Sequence, residues 1–548
     1  MLPADVYARA MRLLGHEVLY ICATDEHGTP AELAAQAADM DVAAYCDQMH
    51  EAQKAAGANF GLSYDYFGRS SAPSNHALTQ DFAAKLEEAG LIEERVSKQI
   101  FSNADQRYLP DRYVEGTCPN CEYEGARGDQ CDNCGKLLDP IDLIDPYSAV
   151  SGSKDVEVRE TRHLYLRQSV MADDLRKWVE GHKADWPPLA TSIALKWLDE
   201  GLRDRAITRD LKWGIPVLRD GFEGKVFYVW FDAPIAYIAA TQDWAAETGG
   251  NWQSWWRTDA GADDVQYVQF MGKDNVAFHT LSFPTTIIGT NNQGGDQYKL
   301  VDNLKAFNWV TWYGGKFSTS QNRGVFMDQA IDIAPSDYWR WHLMANAPEG
   351  SDAAFTWEEF QSSVNSDLAN VLGNFVNRIT KYCVGKFDGA VPGAGEAGEH
   401  EAWIASELSE RLPALIGHYE AREFRKAAEQ TRAIWAAGNE YLTRSAPWTH
   451  YKTNVDQAAV GVRTGLNLVA LFGIIAQPLI PDAAAKILDA VSVPEGNRTW
   501  NFGDLSDVSN LLDALPHGLA VTPPDLLFTK IEDDQVAAWT ERFGGESA

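Results

Sequence analysis

The chain has 548 residues, of which 45% are hydrophobic and 19 are tryptophan, so it is long and apolar enough to form several folded domains. No run of about 18 residues is uninterruptedly apolar, and the first residues lack the basic and apolar regions of a signal peptide. We therefore expect no membrane span, and we expect a cytoplasmic protein.

The charge balance is strongly acidic, because 47 Lys and Arg face 78 Asp and Glu, a formal charge of −31. An acidic protein usually avoids nucleic acid, since phosphate contacts require local positive charge. The alternative is a halophile's surface, on which concentrated salt screens the repulsion. The acidic residues are spread along the chain and form no acidic tail, which favours salt adaptation and leaves a nucleic-acid partner open.

The first ninety residues alternate between helical spacing and a short apolar run, which indicates an α/β sheet. The pattern predicts a strand over 18–22 and helices over 5–14, 31–56 and 75–89. A polar loop at 24–30 follows the strand, where open α/β sheets place ligands. A simple turn is the alternative for this loop.

Two closely spaced Cys-x-x-Cys pairs interrupt this alternation of helix and strand patterns. Four thiolates at such spacing can converge on a tetrahedral Zn²⁺, and a closed set of four cysteines leaves no open position for catalysis. Redox pairs or unrelated thiols are the alternatives. The predicted structural zinc ligands are Cys118, Cys121, Cys131 and Cys134.

The second α/β half contains predicted strands over 225–231, 265–271 and 307–312. The first two run into loops that contain aspartate, which are either a substrate cleft or simple helix caps. The third runs into the loop at 314–321, which reads Gly-Gly-Lys-Phe-Ser-Thr-Ser-Gln. Backbone amides, hydroxyls and an ammonium together can hold a polyphosphate, whereas a polar surface turn is the alternative.

Strand signals end after residue 356, and helical patterns over 359–386, 400–419, 421–443 and 455–475 predict an antiparallel bundle. The expected organisation is a split α/β catalytic domain, a zinc-bearing insertion and a helical domain. The predicted borders are 1–96 and 166–356 for the two catalytic halves, 97–165 for the insertion, 357–490 for the bundle and 491–548 for a C-terminal extension.

In this order, the polar loop, the cysteine pairs, the aromatic stretch 227–237, the Lys-Phe-Ser-Thr-Ser loop and the bundle resemble the methionyl-tRNA synthetases. The resemblance is closest to an archaeal type from a halophile. It implies a class I Rossmann-type catalytic domain and an all-α anticodon-binding domain. It also implies ATP-dependent ligation of methionine to tRNA(Met) through methionyl-adenylate, with ATP and Mg²⁺ as the substrate complex and one structural zinc.

The resemblance assigns residues to the methionine pocket and the nucleotide site. The methionine-binding residues would be Asp25, Trp230, Ala233, Pro234, Tyr237 and His279. The ATP-binding residues would be Gly272, Asp274, Lys316, Ser318, Thr319 and Ser320, with Lys316 and Thr319 as the catalytic pair. Thr319 replaces the second lysine of the usual Lys-Met-Ser-Lys-Ser signature, so Lys316 or Arg323 would supply the missing charge. Core aromatics and a helix histidine are the alternatives for the pocket.

In the bundle, Asn374 and Arg378 lie one helical turn apart, and the resemblance assigns them and Trp448 to the anticodon. Side chains of these types read base edges and stack on bases of single-stranded loops. A solvated helix face and a capping aromatic are the alternatives.

The family's His-Ile-Gly-His tetrad and the strand before it are not found in this sequence, which begins within the helix that normally follows them. The run Leu-Ile-Gly-His at 415–418 lies in the bundle and lacks the first histidine. We expect either a truncated form of a working enzyme or a tRNA-binding homologue with impaired catalysis. A nucleotidyl transferase with a small acceptor would leave the bundle unexplained. We expect a monomer.

Overall fold

The computed structural model describes residues 1–128, 131, 133–134, 138–318 and 323–544. These residues form two compact units. The sheet unit consists of Ile21–Ala55 and Tyr64–Ala306, and the helical unit consists of Met1–Tyr20, Ala56–Ser63 and the described residues from Phe307 onward. The domain borders given above remain predictions.

The strands are short except for one long antiparallel pair. In chain order they are β1 Ile21–Thr24, β2 Tyr66–Arg69, β3 Ile92–Ser102, β4 Arg107–Tyr108, β5 Val114–Thr117, β6 Ala126–Arg127, β7 Ile144–Ser148, β8 Val156–Leu166, β9 Arg205–Ala206, β10 Thr208–Arg209, β11 Val226–Phe227, β12 Val268–Gly272, β13 Asn303–Phe307, β14 Val310–Trp312 and β15 Ala353–Phe355.

The α-helices account for most of the remaining ordered backbone. In chain order they are α1 Leu2–Leu13, α2 Thr29–Ala37, α3 Val42–Asn59, α4 Pro73–Glu88, α5 Ala172–Gly181, α6 Pro188–Asp199, α7 Val229–Asp232, α8 Ala236–Thr248, α9 Gln253–Trp256, α10 Phe283–Asn291, α11 Met327–Ile333, α12 Ser336–Ala345, α13 Trp357–Ser363, α14 Asn374–Lys386, α15 Glu399–Glu420, α16 Phe424–Ser445, α17 Pro447–His450, α18 Val455–Ala476, α19 Pro481–Ala490 and α20 Asp533–Phe543.

In the sheet unit, β1 and β2 pair in parallel, with Ile21 opposite Tyr66, and α8 packs across both strands. A glycine is required at position 68, because a Cβ there would lie only 3.0 Å from the Cβ of Ala240 on α8. This close packing of helix on strand places the C-terminal end of β1, and the loop that follows it, at the edge where parallel sheets bind ligands.

The insertion of the sheet unit is antiparallel. Its larger sheet has the order β4-β3-β8-β9, and the register of β3 and β8 runs from Ile92 opposite Leu166 to Ser102 opposite Val156. Its smaller sheet, β6-β5-β7, lies next in the chain to the cysteine pairs.

In the helical unit, α18 is long and apolar enough to span a membrane by length and composition alone. However, 94% of its apolar window is buried inside the protein, which is typical of a core helix. The four predicted bundle helices are confirmed within a few residues. The first is interrupted, because a π-helical segment, Val364–Gly373, separates α13 from α14.

Several predicted strands differ from the observed ones. The strand predicted over 18–22 is found at Ile21–Thr24, and that over 265–271 at Val268–Gly272. The prediction over 225–231 was wrong beyond Phe227, since Val229–Asp232 is helical although its residues favour strands. The prediction over 307–312 covers two strands, which break at Asn308 and Trp309. Tertiary packing overrides local propensity in such short segments.

Candidate functional site

The loop after β1 is held by a buried carboxylate. Glu26 is 5% exposed and accepts hydrogen bonds from Arg69 Nε and Nη2 at 3.0 and 2.8 Å and from Thr24 Oγ1 at 2.8 Å. A buried carboxylate is tolerated when a cation and hydrogen bonds satisfy it. Glu26 therefore fixes the backbone between Asp25 and His27.

His27 pairs with an aspartate far away in the sequence. Its Nδ1 lies 2.6 Å from Oδ2 of Asp232, and the two side chains are 2% and 0% exposed. The other oxygen of this carboxylate, Oδ1, is buried without a hydrogen-bond partner. Burial raises the pKa of Asp232, and the hydrogen bond from His27 opposes this rise without cancelling it.

Asp25 titrates near neutrality. Its side chain reaches solvent, but protein atoms crowd the carboxylate, and this loss of hydration raises its pKa most. The negative charge of Asp232 adds to the rise, and the pKa reaches about 7. A carboxylate in such surroundings gains from a cationic partner, because an ammonium group would compensate for the lost hydration.

Tyr237 and His279 satisfy each other. His279 Nδ1 lies 2.9 Å from the carbonyl oxygen of Asn275, so this nitrogen carries the proton and donates it. Nε2 then accepts from Tyr237 Oη at 2.9 Å. Burial lowers the pKa of His279, which keeps the ring neutral. The pair therefore has both polar groups hydrogen-bonded without requiring a donor from a ligand.

Trp230 lies flat against another ring. Its ring centroid is 3.7 Å from that of Phe278, and the two rings are 9° from parallel. The Cζ atom of Arg205 lies 5.2 Å from the Phe278 centroid. A small apolar cavity lies beside this stack, lined by Trp230, Phe278, Arg205, Tyr228, Phe231 and Phe283, among others. Ala233 and Pro234 link α7, which carries Trp230, to α8, which carries Tyr237.

Gly272 and Asp274 lie together at the end of β12. A Cβ at position 272 would be 2.6 Å from Oδ1 of Asp274, so the aspartate side chain occupies the space that only a glycine leaves free. Asp274 is exposed in a short 3₁₀ turn. The exposed carboxylate therefore lies beside the backbone of Gly272 at the end of β12.

The Lys-Phe-Ser-Thr-Ser loop lies in the helical unit, and it is described up to Ser318 and again from Arg323. Lys316 is exposed, whereas Ser318 N–H donates to Arg323 O and Arg323 N–H to Ser318 O, at 2.9 and 2.8 Å. Thr319 and Ser320 lie outside the described residues. The Arg323 guanidinium donates to the carbonyl of Trp312 at 3.3 Å, so it braces the base of the loop, and its contribution of charge to phosphate stays a prediction.

The four cysteines converge. Their Sγ atoms all lie within 4.8 Å of one another, and the pairs Cys118–Cys134 and Cys121–Cys131 are 3.9 and 3.6 Å apart. Tetrahedral zinc with Zn–S bonds of about 2.3 Å requires sulfur atoms ~3.8 Å apart. The thiols therefore fit one ion and are not joined as disulfides.

On α14, Asn374 and Arg378 are both exposed on one face. The Arg378 guanidinium lies 4.6 Å from the centroid of the Trp448 ring, so the structure brings together two of the three predicted anticodon residues. Tyr382, one turn beyond Arg378, contacts the same indole edge to face at 6.2 Å. Arg378 and Tyr382 thus both contact the Trp448 ring and form a cationic and aromatic surface at a helix face.

Sequence reasoning missed several members of these sites. Phe278 contacts the predicted residue Trp230 directly, Asp232 pairs with His27 of the polar loop, and Glu26 lies between Asp25 and His27 in the chain. Tyr382 could have been found, because it continues the spacing of Asn374 and Arg378 by one more turn. Asp232 belongs to one of the aspartate loops that the sequence indicated as a possible cleft, but its pairing with His27 joins separate elements of the sheet unit and could not be predicted.

Two family models together match nearly the whole chain. Residues 1–380 match the family described as tRNA synthetases class I (M), and residues 391–548 match the anticodon binding domain of methionyl tRNA ligase. The chain is 70% identical over 550 residues to the methionine–tRNA ligase of Maricaulis maris, covering 100% of this chain and 95% of that protein. It is 66% identical over 552 residues to that of Hyphomonas neptunium, with the same shares.

A solved structure shares the fold. Mycobacterium tuberculosis methionyl-tRNA synthetase bound by methionyl-adenylate superposes with a TM-score of 0.77 and 21% identity, over 96% of this chain and 95% of that one. The predicted fold class is therefore confirmed. The curated relatives are alphaproteobacterial and not archaeal, so the expected archaeal type is corrected, and the inferred salt adaptation gains no support from them.

Proposed function

Because the chain belongs to the methionyl-tRNA synthetase family of class I ligases, we propose that it activates methionine with ATP and transfers the methionyl group to tRNA(Met). The observation that carries this proposal is the 70% identity to a methionine–tRNA ligase over the whole chain. The geometry of the pocket agrees with it. The truncated, non-catalytic homologue is kept as an outcome of the tests below.

Methionine would bind with its ammonium group at Asp25 and its side chain among Trp230, Ala233, Pro234, Tyr237 and His279. The pocket suits a thioether for a specific reason. Since Tyr237 and His279 are already hydrogen-bonded to each other, an apolar side chain can enter without leaving a buried donor unpaired. A polarisable sulfur packs well against the aromatic rings that remain.

ATP would bind beside Gly272 and Asp274, with Lys316, Ser318, Thr319 and Ser320 directed to its phosphates. In the first step the methionine carboxylate attacks the α-phosphorus and pyrophosphate leaves. In the second step a ribose hydroxyl of the terminal adenosine of tRNA attacks the activated carbonyl and AMP leaves. Lys316 would stabilise the charge that develops on pyrophosphate, because positioning and neutralisation are the main requirements of phosphoryl chemistry. Mg²⁺ would enter with ATP and supply further neutralisation.

Cys118, Cys121, Cys131 and Cys134 would hold one structural zinc. A complete set of four thiolates leaves no position for substrate, so the ion would stabilise the insertion. Metal analysis should then find one zinc per chain, and Cys131→Ser should lower this content. A chain that is folded and free of metal would contradict the assignment.

Asn374, Arg378 and Trp448 would read the anticodon, with Tyr382 completing the stacking surface. The cation over the indole offers both a planar donor group and a ring to unpaired bases. We further propose a cytoplasmic monomer and keep the domain borders predicted from the sequence.

Methionine-dependent exchange between ATP and pyrophosphate tests the first step, and charging of tRNA(Met) tests the second. Asp25→Asn should abolish the methionine dependence, whereas Trp448→Ala should spare exchange and weaken charging. Glu541→Ala, an exposed change outside every proposed site, serves as the control. If the chain binds tRNA(Met) but neither exchange nor charging occurs, the non-catalytic homologue is the better description.

A further inference from the structure

The C-terminal helix α20 ends against the base of a loop whose described residues, 314–318 and 323–326, we call the signature loop. Gly324 N–H donates to the carbonyl of Phe543 at 3.1 Å, and Arg323 and Gly544 form an antiparallel β-bridge. Both contacts are made through the backbone and join segments more than 200 residues apart. The end of α20 is therefore bonded to the strand-like base of this loop.

The base of the signature loop consists of two small bridges. Trp312 N–H donates to Gly315 O at 2.8 Å, and Gly315 N–H donates to Trp312 O at 2.9 Å. Ser318 and Arg323 form the second bridge. Since Arg323 belongs to this bridge and also to the bridge with Gly544, α20 extends the hydrogen bonding of the loop base by one strand position.

The packing leaves little freedom at this base. A Cβ on Gly315 would lie 2.1 Å from Nη2 of Arg323, and one on Gly324, whose φ is +103°, would lie 2.2 Å from Phe317. Gly315 and Gly324 therefore permit contacts that no other residue allows. Lys316 lies between these contacts, so the position of its backbone depends on them.

A chain of aromatic rings connects the side chains of α20 to the same loop. Trp539 lies 4.9 Å and Phe543 6.1 Å from Trp357 between ring centroids, and Phe543 is 1% exposed. Trp357 contacts Trp312 at 5.7 Å, and Trp312 contacts Phe317 at 5.6 Å. Tilted and edge-to-face contacts of this kind restrict ring orientation as well as burying apolar area.

The segment that leads into α20 is also fixed. Asn365 exchanges two hydrogen bonds with Ile531, both at 2.8 Å, and Gln361 donates to Asp533 at 2.8 Å. Both ends of α20 are thus attached to the helical unit. An alternative role is that α20 merely covers the apolar surface around Trp357. That role explains the rings, but not the backbone bonds to Arg323 and Gly324.

We propose that α20 positions the signature loop for the ATP-dependent step, with Phe543 and Trp539 as positioning residues. The inference rests on the proposed role of Lys316 in that step. Loss of the contacts with Phe543 would free Gly324 and Arg323, and Lys316 would no longer be held in one place. The adenylate-forming step would suffer, whereas the methionine pocket, which lies in the other unit, would be unaffected.

The test measures ATP–pyrophosphate exchange with the full chain carrying Phe543→Ala, and in a second variant Trp539→Ala. Because misplacement of a catalytic group by about 1 Å can cost ~100-fold, we expect exchange to fall about 10- to 100-fold. The KM for ATP should rise, and the KM for methionine should stay unchanged. Phe543→Leu should restore most of the rate, and Glu541→Ala, on the exposed side of the same helix, should match the unaltered chain.

Comparing Lys316→Ala with Phe543→Ala distinguishes an error in the proposed role of the loop from an error in the proposed role of α20. If Lys316→Ala leaves exchange intact, the proposed role of the loop is wrong, whatever Phe543→Ala does. If Lys316→Ala abolishes exchange while a folded Phe543→Ala chain keeps it, the coupling to α20 is wrong.

Hydrogen exchange on the unaltered chain covers the case in which Phe543→Ala does not fold. Adding ATP should slow amide exchange in a peptide from the loop base and in a peptide from residues 539–544 together. Protection of the loop peptide alone would overturn the proposal.

Discussion

Each unit contains a buried carboxylate, and the two carboxylates are satisfied very differently. In the helical unit Asp5 is fully buried with Arg340, at 2.6 Å, and also accepts from Arg9 and Ser63. In the sheet unit Asp232 has His27 and one oxygen with no partner. Burial raises the pKa of both carboxylates, but the arginines outweigh it at Asp5 and lower that pKa, whereas His27 does not outweigh it at Asp232.

From this difference we infer that Asp5 carries a charge that serves the fold, whereas Asp232 carries a charge that belongs to the proposed site. Arg340 donates hydrogen bonds to Asp5 and to the backbone carbonyls of Phe60, Gly61, Pro478 and Leu479. Every nitrogen of its guanidinium group therefore has an acceptor. Such a cluster holds segments together and has no capacity left for a ligand. An incompletely satisfied carboxylate close to a second one is typical of functional sites.

The largest expected effect is on stability, from Arg340→Met. Removing this fully buried cation leaves Asp5 with only the partly exposed Arg9 and the hydrogen bonds from Ser63, so we expect a cost of about 3–5 kcal/mol in the free energy of unfolding. Urea unfolding followed by tryptophan fluorescence measures it. Arg9→Met, which removes the half-exposed partner of the same carboxylate, is the control and should cost less than about 1 kcal/mol. Equal losses in the two variants would show that Arg340 is not the principal partner.

Asp232→Asn should have the opposite effect, because it should lower the exchange activity without lowering the stability. The neutral side chain no longer holds an ion pair with His27, and we expect the exchange rate to fall on the order of 100-fold, as for a displaced site group. Stability should not decrease, since an incompletely satisfied buried charge has been removed. Exchange assays and urea unfolding of the same preparation test both statements. A variant that loses stability but keeps its rate would place Asp232 with Asp5 as a structural charge.

The dependence on pH should come from Asp25. In the proposed function its carboxylate form would bind the ammonium of methionine, and its pKa in the free protein is about 7. As pH falls below this value the group protonates, and kcat/KM for methionine should drop by up to about tenfold per pH unit. Asp232→Asn removes a neighbouring negative charge, so the profile of this variant should shift to lower pH. An unshifted profile would show that Asp232 does not influence the titration.

The smallest effect is expected from Tyr237→Phe. In the free variant water can enter the pocket and donate to Nε2 of His279, whereas bound methionine displaces this water and leaves Nε2 without a donor, a penalty of about 1–3 kcal/mol. The KM for methionine should rise about tenfold while the KM for ATP remains unchanged. Steady-state exchange measures both constants. His279→Gln should behave similarly, whereas an unchanged KM in both variants would mean that the pair does not line the pocket.

Much of the fold follows from the spacing of residues. Helical periodicity predicted the bundle helices, and the cysteine pairs predicted a cluster whose sulfur atoms do converge. The helical turn at Val229–Asp232 was not predictable, because its residues favour strands and only packing with Phe278 selects the helix. The π-helical segments at Phe278–Ser282 and Val364–Gly373 were also missed, and they contain His279 and precede Asn374. Such segments often occur at functional sites.

The sequence by itself determined the bundle helices, the convergence of the four cysteines and the loops that carry polar groups, because these depend on residues within a few turns of one another. Only the tertiary structure decided which groups meet. His27 with Asp232, Arg340 with Asp5 and Phe543 with Gly324 join residues from distant segments, and no local spacing encodes such pairs. Their pKa values and their partners depend on burial, which exists only once the chain has folded.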